Sequence, residues 1–299
     1  MVKKRVTYGD NVIRIHETPG VGVQGHLAAF FMSAVASIDY TQTPDLRARP
    51  RYPRRTKNQL GLPRNLHVLP VKSIARFTNN NGVVSLHDKL RTVERPRPAK
   101  PNDLIFCARR AWDKRAETGY MKHIENAFQE LAEEIIAGRV SQISSTQKVT
   151  VNHFYALWYM RARYKYLDSQ ETQARGVAGT KRTQDQEDSL ENEGLLFARE
   201  GGRIPTRQIN GLQLQFRIRA YADQTLSVAQ WGIIRAQEGQ FVVPDVPTYT
   251  TIPLTPTLCL ISPAPDGMIL KENVADLNRG TMAQSHEYFF ANDFAMCPF

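Results

Sequence analysis

Three regimes of hydrophobic patterning follow one another along this chain. In the middle, Tyr120, Ile124, Ala127, Phe128, Leu131, Ile135 and Ile136 recur at helical spacing. That period marks a helix with one apolar face, beginning near Glu117 and stopping at Gly138. A second helix is predicted over about 146–167, where His153, Leu157, Arg161 and Tyr164 share a face by their spacing of three or four. Later, residues 226–236, 240–243, 249–253 and 258–261 read as strands, with Glu238-Gly239 as a hairpin turn. A last helix is expected over about 272–285. The predicted class is α+β, with central helices, a late antiparallel sheet and a basic N-terminal extension. Trp112, Trp158 and Trp231 are assigned to its core.

Other stretches lack such patterning. Residues 40–65 and 95–101 are basic and proline-broken, and read as an exposed arm and an extended loop. Residues 168–207 are rich in Gln, Gly, Glu and Arg, with little apolar surface to offset ordering, and read as a long mobile loop. Near the start, a short strand over 12–15 leads to Gly20, Gly22 and Gly25 and then an apolar helix to about residue 39. Strand, glycine loop and helix is the dinucleotide-binding order. The further βα units of such a fold do not follow, so the loop reads better as a turn before a packed helix, with a nucleotide-responsive sensor as its functional alternative.

A chain of 299 residues with 41% hydrophobic content can bury a substantial core. Residues 1–60 are read as the extension and 61–299 as a single α+β domain. The longest apolar stretch, 27–38, is interrupted by Ser33 and Ser37 and falls short of the roughly eighteen residues of a membrane span. The basic start lacks a signal-peptide apolar segment, so no membrane partner and a cytoplasmic location are expected. Cys107, Cys259 and Cys297 are widely spaced and odd in number, which argues against a disulfide framework or a cysteine zinc site.

Charge changes the picture more than composition does. Residues 46–115 hold eighteen Lys and Arg against Asp88, Glu94, Asp103 and Asp113, a net +14 within a chain whose total is +10, so the remainder carries −4. Clustered arginine suits phosphate recognition through bidentate guanidinium forks. Arg47, Arg49, Arg51, Arg54, Arg55, Lys57, Arg76 and Arg161 are the candidate nucleic-acid contacts. The bland alternative is a solvated face neutralised locally by acids such as Asp185, Glu187, Asp188, Glu191 and Glu193.

Two signatures far apart in sequence carry candidate chemistry. His67-Val68-Leu69-Pro70 places an imidazole, able to exchange protons near neutral pH, before a proline that stiffens the backbone. Such a histidine serves as general acid or base, or simply pins the entry to a helix. Asp245 lies between Pro244 and Pro247 after the apolar run 241–243, where a carboxylate is presented rigidly to a pocket or metal, or else organises an Asx turn. Glu125 sits at the edge of an apolar helix face and needs a partner, for which Arg161 is the candidate. His67, Glu125 and Asp245 are therefore the candidate catalytic set, and Glu125 with Asp245 the candidate ligands of a possible divalent metal. His286-Glu287 and His16-Glu17 lack the second histidine of a zinc-protease helix, and no Walker or nucleophile-elbow motif is present.

The ordered set of features resembles the bacterial domain-of-unknown-function 4238 family. Its members open with His-Tyr-Val-Pro, continue with a short aliphatic helix ending in Phe, and carry a late Ser-Asp-x-Pro turn. Here His67, Pro70, Phe77, Glu125, Arg161, Asp245, Pro247 and Asn278 match in order, and the turn and strand of residues 78–89 resemble the family's next element. Val68, Leu69 and Pro244 stand where Tyr, Val and Ser are usual. The resemblance implies helix for residues 212–218, whose alternation Leu-Gln-Leu-Gln-Phe-Arg-Ile is that of a strand, and this segment is left open. It also implies an intracellular effector of antiphage or toxin type. Combined with the basic block, that gives a nucleic-acid-targeting effector, possible nuclease included. The alternative is a non-catalytic nucleic-acid-binding module in which the same residues hold the fold.

Overall fold

The computed structural model describes residues 5–8, 11–14, 65–91, 95–109, 111–165 and 171–299. The chain divides into two compact units, Met1–Thr43 and Pro44–Phe299. In the first, β1 (Arg5–Tyr8) and β2 (Asn11–Arg14) pair antiparallel. The predicted strand before the glycine loop is thus one arm of a hairpin. Gly20, Gly22, Gly25 and the basic arm from Arg47 to Lys57 lie outside the described residues.

The second unit is α+β, as its patterning predicts. A short helix α1 (Val71–Ala75) follows β3 (Asn65–His67). The central helices begin with α2 (Lys114–Ala116), capped by the Asp113 carboxylate, which accepts from Ala116 N at 3.1 Å. A π-helical stretch, Glu117–Met121, leads into α3 (Lys122–Ile136). The apolar stripe of α3 is buried at Ile124, Phe128, Leu131 and Ile135, and Gly138 ends it in the left-handed conformation at φ +75. A capping box of Ser144 and Gln147 starts α4 (Ser145–Tyr164). Phe128 and Phe154 stack between α3 and α4 with ring centroids 3.6 Å apart.

Residues 212–218 belong to α6 (Thr206–Ala220), which packs on α4, and α5 (Gln184–Asn192) precedes it. The strand-like alternation arises because Gln213 is buried as an acceptor for the Tyr164 hydroxyl at 3.2 Å, while Phe216 is 60% exposed. Gly211 lets α6 approach the Asp113 cap, since a β-carbon there would collide with that carboxylate.

Among the described residues, the strands form two four-stranded sheets and several two-stranded pairs. One joins β11 (Thr251–Thr255), β12 (Leu258–Ile261), β9 (Gly232–Ala236) and β13 (Gly267–Ile269), antiparallel except that β13 runs parallel to β9. The other orders β10 (Val243–Pro244), β14 (Tyr288–Ala291), β4 (Val84–Asp88) and β5 (Arg97–Ala99), so it mixes the two ends of the unit. Glu238-Gly239 is therefore no hairpin turn: β9 and β10 lie in different sheets. Only the last five residues of the predicted strand 226–236 are extended, because Tyr221–Thr225 prolong α6 as a π turn and Trp231 is instead held by its Nε1 donating to Asn152 at 2.7 Å. Between β13 and β14 runs α7 (Lys271–Gln284). All four residues of β14 are buried, as a strand covered on both faces requires.

The polar segment is ordered over residues 171–207, against expectation. It carries α5 with a Thr183 and Gln186 capping box, and β7 (Thr172–Gln173) paired with β8 (Arg203–Ile204). Its order comes from ions more than from apolar burial. Arg199 donates to both oxygens of Glu187 at 2.6 Å and also binds Glu171, and Arg207 donates to Glu191 at 2.7 Å. Glu187 and Glu191 are buried beneath these guanidiniums and pair with arginines of their own segment. Among the described residues no helix is long and apolar enough to cross a membrane.

Candidate functional site

The His67 signature folds as a strand-to-helix corner pinned at both ends. β3 pairs antiparallel with β6 (Cys107–Arg109), His67 opposite Cys107, and Val68 N donates to Phe106 O at 3.0 Å. Pro70 precedes α1 and its carbonyl accepts from Ser73 N and Ile74 N, so the fixed proline φ sets the helix start. Phe77, 1% exposed, anchors the helix end against Phe290. The turn that follows uses Asn79 Oδ1 as acceptor for Asn81 N and Gly82 at φ +70.

Between α1 and the π–α3 helix lies a cleft of about 520 Å³, lined by His67, Lys72, Glu117, Lys122 and Glu125 among others. Arg161 sits beneath it, fully buried. Its Nη2 donates to Glu117 Oε2 at 2.8 Å and its Nη1 to Glu125 Oε1, and Nη1 also reaches the His67 carbonyl at 3.3 Å. Trp112 Nε1 donates to the same Glu117 oxygen at 2.7 Å, and the Trp112 ring lies 5.6 Å from the guanidinium. Lys122 pairs with the outer oxygen of Glu125 at 3.2 Å. These contacts of Glu117 all fall on Oε2, so Oε1 has no hydrogen bond among the described residues.

The imidazole of His67 has a buried Nε2 with no hydrogen-bond partner. Burial lowers its pKa from the ordinary 6.5, while a hydrogen bond to the Pro101 backbone and the nearby Glu117 and Glu125 charges oppose that shift. At neutral pH the ring is therefore an uncharged base with a free nitrogen beside two oriented carboxylates.

The predicted partners separate into two groups. His67, Glu125 and Arg161 come together. Arg76 lines up behind them, donating to Gln129 at 2.6 Å and Glu133 at 2.9 Å, and Gln129 in turn donates to Ser73 Oγ. Arg76 thus ties α1 to α3, and both Arg76 and Arg161 have protein partners where phosphate contacts were expected. Asp245 stands apart from the cleft lining. Its Oδ1 accepts from His286 N at 2.9 Å and its Oδ2 from Glu287 N at 2.7 Å, with only 4% of the residue exposed. Burial pushes its carboxyl above the usual range, against the pull of those two bonds. Asp245 therefore organises backbone, as its structural alternative holds, but the backbone of a corner 41 and 42 residues away and not a local Asx turn.

The expected metal ligands do not fit a metal. Both oxygens of Asp245 are already occupied, a cation on Glu125 would face the Arg161 guanidinium, and no group of three His, Cys, Asp or Glu among the described residues could hold an ion. Glu117, Lys122 and Lys72 are among the cleft residues that sequence reasoning missed. On an uninterrupted helix, residues eight apart are offset by roughly 80°, which would keep Glu117 off the Glu125 face. The π stretch is broken by non-helical backbone at Gly119, φ −94 and ψ −111, and across this kink both carboxylates come onto Arg161. Such irregularities concentrate at functional sites, and Gly119 inside the helical pattern is the one local sequence signal of this break.

Comparison with known protein families, curated proteins and solved structures finds no match to this chain.

Proposed function

We propose that this protein is a cytoplasmic effector that cleaves nucleic acid, with His67 as the proton-transfer group. The reading rests on one observation, the buried and unpartnered Nε2 of His67 in a cleft that also holds two carboxylates oriented by a single arginine. A neutral imidazole so placed takes a proton from an attacking hydroxyl or water. Arg161 holds Glu117 and Glu125 in place and fixes the His67 carbonyl, and the basic block of residues 46–115 supplies phosphate affinity. Membership of the domain-of-unknown-function 4238 family, and with it a role in antiphage defence or as a toxin, belongs to the same proposal. It is supported by the ordered match from His67 to Asn278 and by the helix at residues 206–220, which that resemblance implies.

A second reading, a non-catalytic nucleic-acid-binding module, is favoured by the pairing of both carboxylates with Arg161, which also serves to hold the fold. One experiment separates the two. Labelled single- and double-stranded RNA and DNA are incubated with the wild-type protein, with His67→Gln, and with a variant carrying Gln at Arg47, Arg49, Arg51, Arg54, Arg55 and Lys57. Cleavage by wild type that is lost in His67→Gln supports the enzyme. Weaker binding with a flatter salt dependence in the arm variant supports the nucleic-acid partner. Binding with no cleavage by any form leaves the module, and neither binding nor cleavage sinks both.

A further inference from the structure

We propose that Asp245 is a positioning residue, acting on His67 through Glu287, Lys165 and the last turn of α4, and that it makes no contact with substrate. The functional half of this inference rests on the cleavage reading above. The contacts form an unbroken path. Asp245 accepts from the backbone N–H of His286 and Glu287 at 2.9 and 2.7 Å, which fixes the corner entering β14. The Glu287 side chain, 3% exposed, then pairs with Lys165 Nζ at 2.6 Å.

Lys165 follows Arg161 by one helical turn, and its N–H donates to the Arg161 carbonyl at 2.9 Å. From there the path reaches His67 by two routes. Arg161 donates to the His67 carbonyl at 3.3 Å. Lys165 Nζ also reaches the Ile105 carbonyl at 3.4 Å, and Ile105 lies two residues before Cys107, which pairs with His67 in the sheet. One helix turn therefore holds both the backbone of the histidine and the segment entering its partner strand, and the late signature holds that turn.

This explains why a carboxylate with no free oxygen occupies so constrained a setting. Pro244 pairs with Phe289 in the sheet and Pro247 is buried, so the backbone at Asp245 has little freedom to drift from the 286–287 corner. The buried Lys165 ammonium needs its carboxylate partner, because a charge in this environment is tolerated only when paired. Substituting either end should release the α4 turn without touching the cleft.

The test uses the full-length chain labelled at histidine, with the His67 ring signals assigned by their absence in His67→Gln. In folded Asp245→Asn and in folded Glu287→Gln, which keeps the N–H donated to Asp245 and removes the charge paired with Lys165, the His67 ring resonances should be displaced. Lys165→Arg, which retains the cation, should leave them near the wild-type position. Glu238→Gln, which breaks an exposed pair with Lys271, should leave them unmoved. Where cleavage is measurable, kcat should fall by up to roughly a hundredfold, the scale of a 1 Å misplacement, with KM retained. Unmoved His67 signals in folded Glu287→Gln would overturn the proposal. So would an inactive, folded Asp245→Asn with the His67 signals in place, since that returns Asp245 to contact with substrate. The resonances are read without activity, so a protein that cleaves nothing removes the functional reading and leaves the positioning path to be judged by itself.

Discussion

His67 and Asp245 occupy similar positions in sequence and opposite positions in chemistry. Each is a titratable side chain beside proline at the end of a short strand, and each was open to a catalytic or a structural reading. In the fold, His67 keeps a nitrogen unpaired at the edge of a cleft, whereas both oxygens of Asp245 are consumed by backbone N–H groups. The difference teaches that proline stiffening marks a side chain whose direction matters, and that what it is aimed at decides its role. Asp245 is aimed at the chain's own backbone.

The comparison is most severely tested at Arg161, which holds the His67 side of the molecule together. Arg161→Met leaves Glu117 and Glu125 without their buried cation, and should destabilise the protein by about 3–5 kcal/mol. Chemical denaturation measures it, and a loss under about 1 kcal/mol would mean that the cleft is not built on this ion. Asp245→Asn comes next. Asparagine can accept from only one of the two N–H groups through its carbonyl oxygen, so a loss of about 1–3 kcal/mol is expected on the same denaturation assay. A variant as stable as wild type would end the structural side of the comparison.

His67→Gln should cost far less stability, with a melting temperature within a few degrees of wild type, roughly the response to 1 kcal/mol or less, while cleavage disappears. Parallel loss of folding and activity would make His67 a helix pin like its counterpart.

The smallest effect is in pH. Because burial lowers the His67 pKa from 6.5, the folded protein binds the proton less readily than the unfolded chain. The corresponding stability is fully present above about 6.5 and is lost as pH falls through the folded value. The acid limb of the cleavage rate should therefore lie below 6.5, and His67→Gln should show a shallower loss of stability on acidification. A limb above 6.5 would assign the titration to another group.

The polar segment and the basic block show how far charge pattern misleads. The sparse apolar content of residues 168–207 predicts a mobile loop, yet residues 171–207 are ordered and Arg199 and Arg207 pair there with buried Glu187 and Glu191. Arg76 had the same fate at Gln129 and Glu133. A charge count along a sequence reports which ions exist and not which of them meet.

What the sequence by itself determined is the part governed by neighbours along the chain. The apolar stripe and Gly138 stop of α3, the helix over 145–164, the strand Leu258–Ile261, the turn at Asn79 to Gly82 and the α+β class all depend on local period and backbone preference, and all were legible. Tertiary structure alone decided the rest. The fate of Asp245 depended on backbone groups 41 and 42 residues away. The entry of Glu117 into the cleft depended on a π turn and on Arg161, 44 residues on. The helix at 206–220 was masked by a buried Gln213, whose side-chain oxygen accepts from the Tyr164 hydroxyl 49 residues away. Hydrophobic periodicity reports which face of an element is buried. It does not report which polar groups meet there, because such pairs form only when elements distant in sequence close on each other and exclude water.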